Sequence, residues 1–219
     1  WGLELGARTD GHVSVITMGP DQAREVLLEA VCMGAERGYL ISDRCFAGAD
    51  VCATSHTLSQ GIRQSGTYDL ILCGKQTTDG DTAQVGAETA EFLGIAHGAN
   101  ILEVLETGDT FVTVRMNLEN KIQTQKMELP CLLTVDKDVN TPRLPSYKRR
   151  IGMDPGCIKV MGLDDLEDRD PGHYGLKGSP TQVERIFPPD KKTDKEIMEG
   201  TGRELAQAMA AVLRKHKFI

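Results

Sequence analysis

Between Gly74 and Gly86 the chain reads GKQTTDGDTAQVG, with threonines at 77, 78 and 82, carboxylates at 79 and 81 and an amide at 84. These groups suit binding rather than bond-breaking: hydroxyls and an amide donate hydrogen bonds, and glycine-punctuated backbone brings its own amides close to a ligand. Their neighbours decide where they point. Tyr68–Cys73 is a short apolar run after a Ser-Gly turn signal, which predicts a buried strand. Thr82–Leu93 carries Val85, Thr89, Phe92 and Leu93 at helical spacing, and Gly94 suits its end. Asp81, three residues before Gln84, suits an N-cap with a capping-box partner. Strand, polar loop and helix N-terminus make the geometry that binds phosphate, because unpaired amides and the positive end of the helix dipole converge there.

A carboxylate beside a pyrophosphate would repel it. Asp79-Gly80 is therefore read as a turn and Asp81 as the helix cap, while the amides of Thr82, Ala83, Gln84, Val85 and Gly86 and the side chains of Thr82 and Gln84 face the ligand. A glycine inside a helix costs about 1 kcal/mol relative to alanine, so Gly86 predicts a close approach of ligand or backbone. The pattern is neither the P-loop nor GxGxxG. Strand–loop–helix units are also ordinary scaffold in α/β folds, so the stretch by itself leaves ligand site and plain scaffold both open.

The remaining composition narrows the chemistry. The chain has 219 residues and a formal charge of −7, which argues against a general nucleic-acid binder. No apolar run approaches the roughly 20 residues a membrane span needs. Six cysteines are scattered without a CxxC, as buried thiols in a reducing compartment are, and neither a metal set nor a catalytic triad is legible among the isolated histidines.

Taken in order, Trp1–Gly11 reads as the tail of a helix ended by glycine, and Val13–Met18 as a strand. Asp21 is placed to cap a helix with Ala23, Val26, Leu27, Ala30 and Val31 on one face. A short strand at Tyr39–Ile41, a loop at Ser42–Asp50 and a helix from about Val51 to Arg63 follow. Such alternation predicts βαβ units and a parallel sheet flanked by helices, a Rossmann-like α/β fold whose ligands sit outside the carboxyl ends of the strands. Beyond Gly94 the pattern switches to alternating apolar and polar residues in Ile101–Leu105, Phe111–Met116 and Ile122–Leu129, an antiparallel hairpin addition, before the strong strand Cys131–Val135. Asp136–Tyr174 reads as irregular, with the basic run Lys148-Arg149-Arg150. An extended stretch, Gly175–Pro189, and an amphipathic helix, Asp194–Lys215, form a C-terminal arm. The expected division is a nucleotide-binding domain over 1–174 and an arm over 175–219.

Gly74–Gly86 resembles the nucleotide-binding motif of the beta subunit of electron transfer flavoproteins. Val114–Asp136 (VRMNLENKIQTQKMELPCLLTVD) is similar to that family's hairpin, proline and strand signature, and Asn140–Arg150 (NTPRLPSYKRR) to the loop that meets its dehydrogenase. The likeness runs over essentially the whole chain; Asn117–Asn120 departs from it, since many members have more acid and glycine in that turn. Family members normally begin with a further strand and a loop beside the adenosine, and this chain is expected to enter after both.

The resemblance implies the following. Asp79, Gly80, Asp81, Thr82, Ala83, Gln84, Val85 and Gly86 would contact phosphate, with Thr77 at the loop's start, Met18 on the adenosine side and Asp50 and Thr54 towards a flavin. Leu144, Tyr147, Arg149 and Arg150 would meet the partner. The expected complex is a heterodimer with an alpha subunit. DGDTAQVG, with Gly80 and Val85, and DRCFAGAD at Asp43–Asp50 are similar to the electron-bifurcating type, whose beta site holds FAD reduced by NADH. Its electrons then go to a low-potential acceptor such as ferredoxin or flavodoxin and to an acyl-CoA dehydrogenase-type flavoenzyme. Two other readings stand beside it: a housekeeping electron carrier with structural AMP, and a non-redox adenine-nucleotide-binding module. The implied location is the cytoplasm of a bacterium or archaeon, or the mitochondrial matrix of a eukaryote.

Overall fold

Short runs rich in Val, Ile and Leu, each ended by glycine, proline or a polar turn, become the strands of this protein. The computed structural model describes residues 1–78, 80–188 and 197–218. Its strands are β1 (Ser14–Met18), β2 (Arg37–Ile41), β3 (Leu70–Gly74), β4 (Ala96–Thr107), β5 (Phe111–Asn117), β6 (Ile122–Glu128), β7 (Cys131–Val135) and β8 (Ile158–Met161). Its α-helices are α1 (Gly2–Thr9), α2 (Arg24–Met33), α3 (Val51–Ser65), α4 (Val85–Leu93), α5 (Tyr147–Ile151), α6 (Gly175–Gly178) and α7 (Gly202–Lys215).

The fold is α/β, with the parallel strands shared between two sheets. One is wholly parallel, in the order β1-β2-β8, and the other is mixed, in the order β3-β7-β4-β5-β6. Strand β7 is the hub of the second. It pairs in parallel with β3 on one side and with the first half of β4 on the other, and Leu132 and Leu133 are fully buried there. The second half of β4 turns to pair antiparallel with β5, which in turn pairs with β6. The apolar core of this sheet joins Ile101, Val112, Val114, Met127, Cys131 and Leu133. Helix α3 packs on β1 and β2, α4 packs on β4 and β7, and the two helices lie against each other.

Several expectations change in the folded chain. Strand β4 starts at Ala96, not Ile101; AHGAN has weak strand propensity, and its pairing with β7 imposes the conformation. Strand β8 and helix α5 fall in the segment expected to be irregular: four residues, IKVM, are too few to show a period, but β2 supplies a ready edge for them. Asp21 opens a 3-10 turn without a side-chain cap, and Val26 is exposed, so α2 buries Leu27, Val31 and Cys32 instead. On α4 the buried face is Gly86, Thr89 and Ala90, rotated from the expected stripe, and Phe92 is exposed. Helix α1 ends at Asp10 in the left-handed conformation, one residue before the expected glycine.

The chain divides into two compact units, Trp1–Gln182 and Val183–Ile219. Residues 175–182 belong to the first unit: Leu176 N–H donates to the Ala47 carbonyl and Thr181 N–H to the Asp50 carboxylate. In the second unit α7 begins at Gly202, where Thr201 and Glu204 form a capping box. Ile197 therefore precedes the helix, and the expected start at Asp194 lies outside the described residues.

Candidate functional site

The site begins where β3 and β7 end. Lys75 N–H donates to the Val135 carbonyl at 2.8 Å, continuing the ladder by one rung past β3, and then the chain leaves the sheet. A cleft of about 500 Å³ opens at this carboxyl edge. It is lined by Lys75–Thr78 with Asp81, by Val135–Lys137 with Val139 and Asn140, and by Trp1. The volume is in the range of small-molecule pockets. Lys75 and Asp136 form an ion pair at 3.7 Å within it, both side chains about a third exposed.

The loop from the cleft to α4 is shaped by two non-glycine residues in the left-handed conformation, Asp81 (φ 54°) and Ala83 (φ 57°). Such a conformation costs an L-residue about 1–2 kcal/mol. It also delays the helix: α4 starts at Val85 with Gln84 as its N-cap, not at Thr82. Asp81 is therefore not the cap. Gln76 Nε2 donates to its carboxylate at 2.6 Å and to its carbonyl at 3.2 Å, which folds the loop back on itself. Gln84 makes no side-chain cap either, and a helix's first-turn amides have no acceptor within the helix. The amides of Val85, Gly86 and Ala87 so form a positive end beside an exposed Thr82–Gln84 segment.

A second helix start lies next to this one. Ser55 of α3 donates to the Val85 carbonyl at 3.3 Å, which sets the first turns of α3 and α4 side by side. Asp50 caps α3: its Oδ1 accepts Ala53 N–H at 3.1 Å. Its Oδ2 accepts both the amide and the hydroxyl of Thr181, at 2.9 and 2.7 Å. Partial desolvation works against the charged Asp50, but the hydrogen bonds from Thr181 and Ala53 outweigh it and hold the carboxyl below its usual range. Glu88, on the first turns of α4, is pushed the other way by desolvation and by the Asp50 charge.

The expected site residues fall into four places. Thr77 and Asp81 line the cleft. Gly80 and Thr82–Val85 form the adjoining loop and helix start. Asp50 and Thr54 stand on the first turn of α3, where Thr54 N–H donates to the Asp50 carbonyl. Met18 closes β1 and packs partly buried against the cluster of Ile41, Phe46 and Met161. Asp79 lies outside the described residues. Gly86 makes a close approach to side chains of its own sheet: a Cβ there would fall inside 3.0 Å of Thr134 Cγ2, with Leu132 Cδ2 at 3.5 Å and Cys73 Cβ at 3.6 Å.

Sequence reasoning missed Trp1, Lys75, Asp136, Lys137 and Glu88. The lysine of GKQ and the Asp-Lys pair directly after the Cys131–Val135 strand were the available signals, since both follow predicted strands at the ligand-binding edge.

The second expected surface, Asn140–Arg150, is anchored at its base and open at its tip. Ser146 N–H donates to the Cys32 carbonyl of α2 at 2.9 Å, and the Ser146 side chain caps α5. Leu144 and Tyr147 are 89% and 76% exposed, and Arg149 and Arg150 are exposed beside them.

Residues 2–161 match the family model described as the electron transfer flavoprotein domain. The chain is 39% identical over 217 residues to an electron transfer flavoprotein subunit beta of Clostridium acetobutylicum, covering 99% of this chain and 83% of that protein. This chain belongs to the electron transfer flavoprotein family, as a beta subunit. Two further relatives carry more specific names. One is the caffeyl-CoA reductase-Etf complex subunit CarD of Acetobacterium woodii, 39% identical over 95% of this chain and 79% of its own length. The other is the acryloyl-CoA reductase electron transfer subunit gamma of Anaerotignum propionicum, 36% identical over 98% and 82% respectively. Beta subunits of the family pair with an alpha subunit. Among the described residues of this one, no helix is long and apolar enough to cross a membrane.

Proposed function

We propose that this beta subunit binds FAD at the carboxyl edge of β3 and β7 and serves an electron-bifurcating flavoprotein oxidising NADH. The observation that carries the nucleotide reading is the loop of left-handed residues opening onto the amide-rich start of α4, beside the cleft. The residues fit an anionic group: the Asp81 carboxylate is turned to Gln76, and Lys75 and Lys137 on the cleft walls offset Asp136 and Asp138, to which they are ion-paired. The first-turn amides of α4 with Thr82 and Gln84 would hold the pyrophosphate, and Thr77 would border it. When bound, the flavin would supply two-electron and one-electron redox chemistry, the basis for dividing an electron pair from NADH between a low-potential acceptor such as ferredoxin or flavodoxin and the alpha-subunit flavin. The protein's part is to bind, orient and tune, which needs no acid, base or nucleophile of its own.

The motif DGDTAQVG, with glycine at 80 and valine at 85, supports the FAD-binding type over the AMP-binding one. The names of two relatives, each tied to a CoA-ester reductase, support a partner of the acyl-CoA dehydrogenase type. A flavin and AMP count on the purified heterodimer tests the proposal. Two FAD per heterodimer is expected; one FAD plus AMP would make this the housekeeping carrier, and nucleotide without flavin a non-redox module.

The partner surface has its own test. Tyr147 is the expected apolar anchor, with Leu144 beside it, while Arg149 and Arg150 steer encounter. Tyr147→Ala should raise the KM for the flavoenzyme partner about tenfold, as loss of a 1–2 kcal/mol anchor does. Arg149→Ala and Arg150→Ala should mainly flatten the salt dependence of association. Unchanged partner kinetics in the folded tyrosine variant would make the loop solvated surface only.

A further inference from the structure

Residues 163–181 run along α3 as a strap, tied to it at two places. At the α3 N-terminus Asp50 holds Thr181, and Ser179 Oγ accepts Asp50 N–H at 2.8 Å while donating to the Gly175 carbonyl at 2.7 Å. Farther along α3, Gln60 Oε1 accepts Asp168 N–H at 3.2 Å, and one oxygen of Asp168 lies between two imidazoles. His56 Nε2 of α3 is 3.1 Å from Asp168 Oδ2, and His173 Nδ1 is 2.7 Å from the same atom. The second oxygen accepts Asp170 N–H at 3.0 Å, so the carboxylate is fully engaged. The His56 ring meets Phe92 of α4 edge-on at 5.3 Å and Tyr174 at a tilt at 5.1 Å, with the His173 ring edge-on at 6.3 Å.

We propose that His173 is a proton-sensing fastener, which tightens the strap on α3 when its imidazole is charged and loosens it when neutral. The geometry assigns this role to His173 because its side chain is 60% exposed and takes protons from solvent directly, whereas those of His56 and Asp168 are 18% and 25% exposed. A neutral imidazole already donates to the Asp168 anion; the charged one adds the Coulomb attraction of an ion pair to the same bond.

The other charged and titratable neighbours act in the same direction or stand aside. Asp170 Oδ2 lies 3.9 Å from His173 Nε2 and adds to the attraction. Arg169 is turned away, donating to the Leu166 carbonyl, and Lys177 of α6 is exposed. Tyr174 is buried, donates to the Asp168 carbonyl at 2.5 Å, and is held neutral by burial and by Asp168 and Cys45. The hydrogen bond and charge of Asp168 raise His173 above its ordinary value. Partial burial works against the Asp168 anion, but the bonds from Asp170 and the two histidines lower it overall.

The sign follows. The stabilisation from His173 is complete below its unfolded value, near 6.5, and is lost as pH rises through its raised folded value. The stabilisation from Asp168 is present above its unfolded value and lost as pH falls through its lowered one. The strap is therefore tightest in mildly acid solution and loosens towards alkaline pH.

Hydrogen exchange on the heterodimer at about pH 5.5 and about pH 8, corrected for intrinsic chemistry, tests this. Amides of residues 166–181 should be about twofold to fivefold better protected at the lower pH, the range of an exposed ion pair. His173→Gln keeps a donor but does not titrate, and Asp168→Asn removes the charge; each should abolish the difference while the amides of β7 stay unchanged. The proposal is overturned if the parent shows no such difference, if His173→Gln retains it, or if only His56→Gln removes it.

Discussion

Gly86→Ala is expected to destabilise the first unit by about 1–2 kcal/mol, although helix propensity alone would make the substitution stabilising by about 1 kcal/mol. The new methyl would fall inside 3.0 Å of Thr134 Cγ2. Neither side can retreat cheaply. Thr134 is 5% exposed on β7, which is held between β3 and β4, and α4 is held by α3 as well as by the sheet. Overpacking of this kind costs about 1–3 kcal/mol and outweighs the gain in propensity. Thr134→Ser removes the opposing methyl and keeps the hydroxyl that accepts Asn100 N–H at 3.2 Å, so the double variant should recover at least half of the loss. Urea denaturation of the parent, the two single variants and the double reads the cycle; a Gly86→Ala protein as stable as the parent would refute the packing account. Gly86→Glu adds a buried charge to the overlap and should unfold the unit. Loss of nucleotide in that variant therefore says nothing about phosphate contact. Thr82→Val and Gln84→Ala, both at exposed positions, are the substitutions that do.

Removing the C-terminal arm should reduce heterodimer affinity by more than 100-fold, since a few large apolar side chains are worth several kcal/mol when buried. The second unit carries Val183, Ile186 and Phe187 at 80%, 90% and 68% exposure, and no residue of α7 is buried. Extended apolar residues followed by an amphipathic helix form a surface with more to gain from a partner than from water. The expected partner is the alpha subunit. A chain ending at Gln182 keeps every cleft residue, because these all belong to the first unit. It should fold, and bind nucleotide if the cleft suffices for that, yet fail to co-purify with the alpha subunit. Co-purification at undiminished stoichiometry would refute this role for the arm.

Much of the first unit was legible in the residues because the signals were local. Tyr68–Cys73, Cys131–Val135 and the helix over 51–65 declare themselves through short apolar runs, glycine stops and 3.6-residue spacing, and each falls within a residue or two of its predicted place or extent. The unit around Gly74–Gly86 was readable for the same reason: a strand, a polar glycine-bearing stretch and a helix follow one another directly along the chain. What the sequence alone determined was therefore the α/β class and the order of the elements as far as Val135. Tertiary structure decided the rest. Asp81 and Ala83 are left-handed because the loop must turn back onto Gln76, so the cap expected at Asp81 is lost and α4 starts three residues later than predicted. Gly86 answers to Thr134, 48 positions away, and Asp50 to Thr181, 131 positions away, separations at which no periodicity signals a neighbour. Strand β8 exists because β2 offers it an edge. Packing and pairing between distant segments are settled by shape and by hydrogen bonds left over from local structure, and these appear only once the chain has folded.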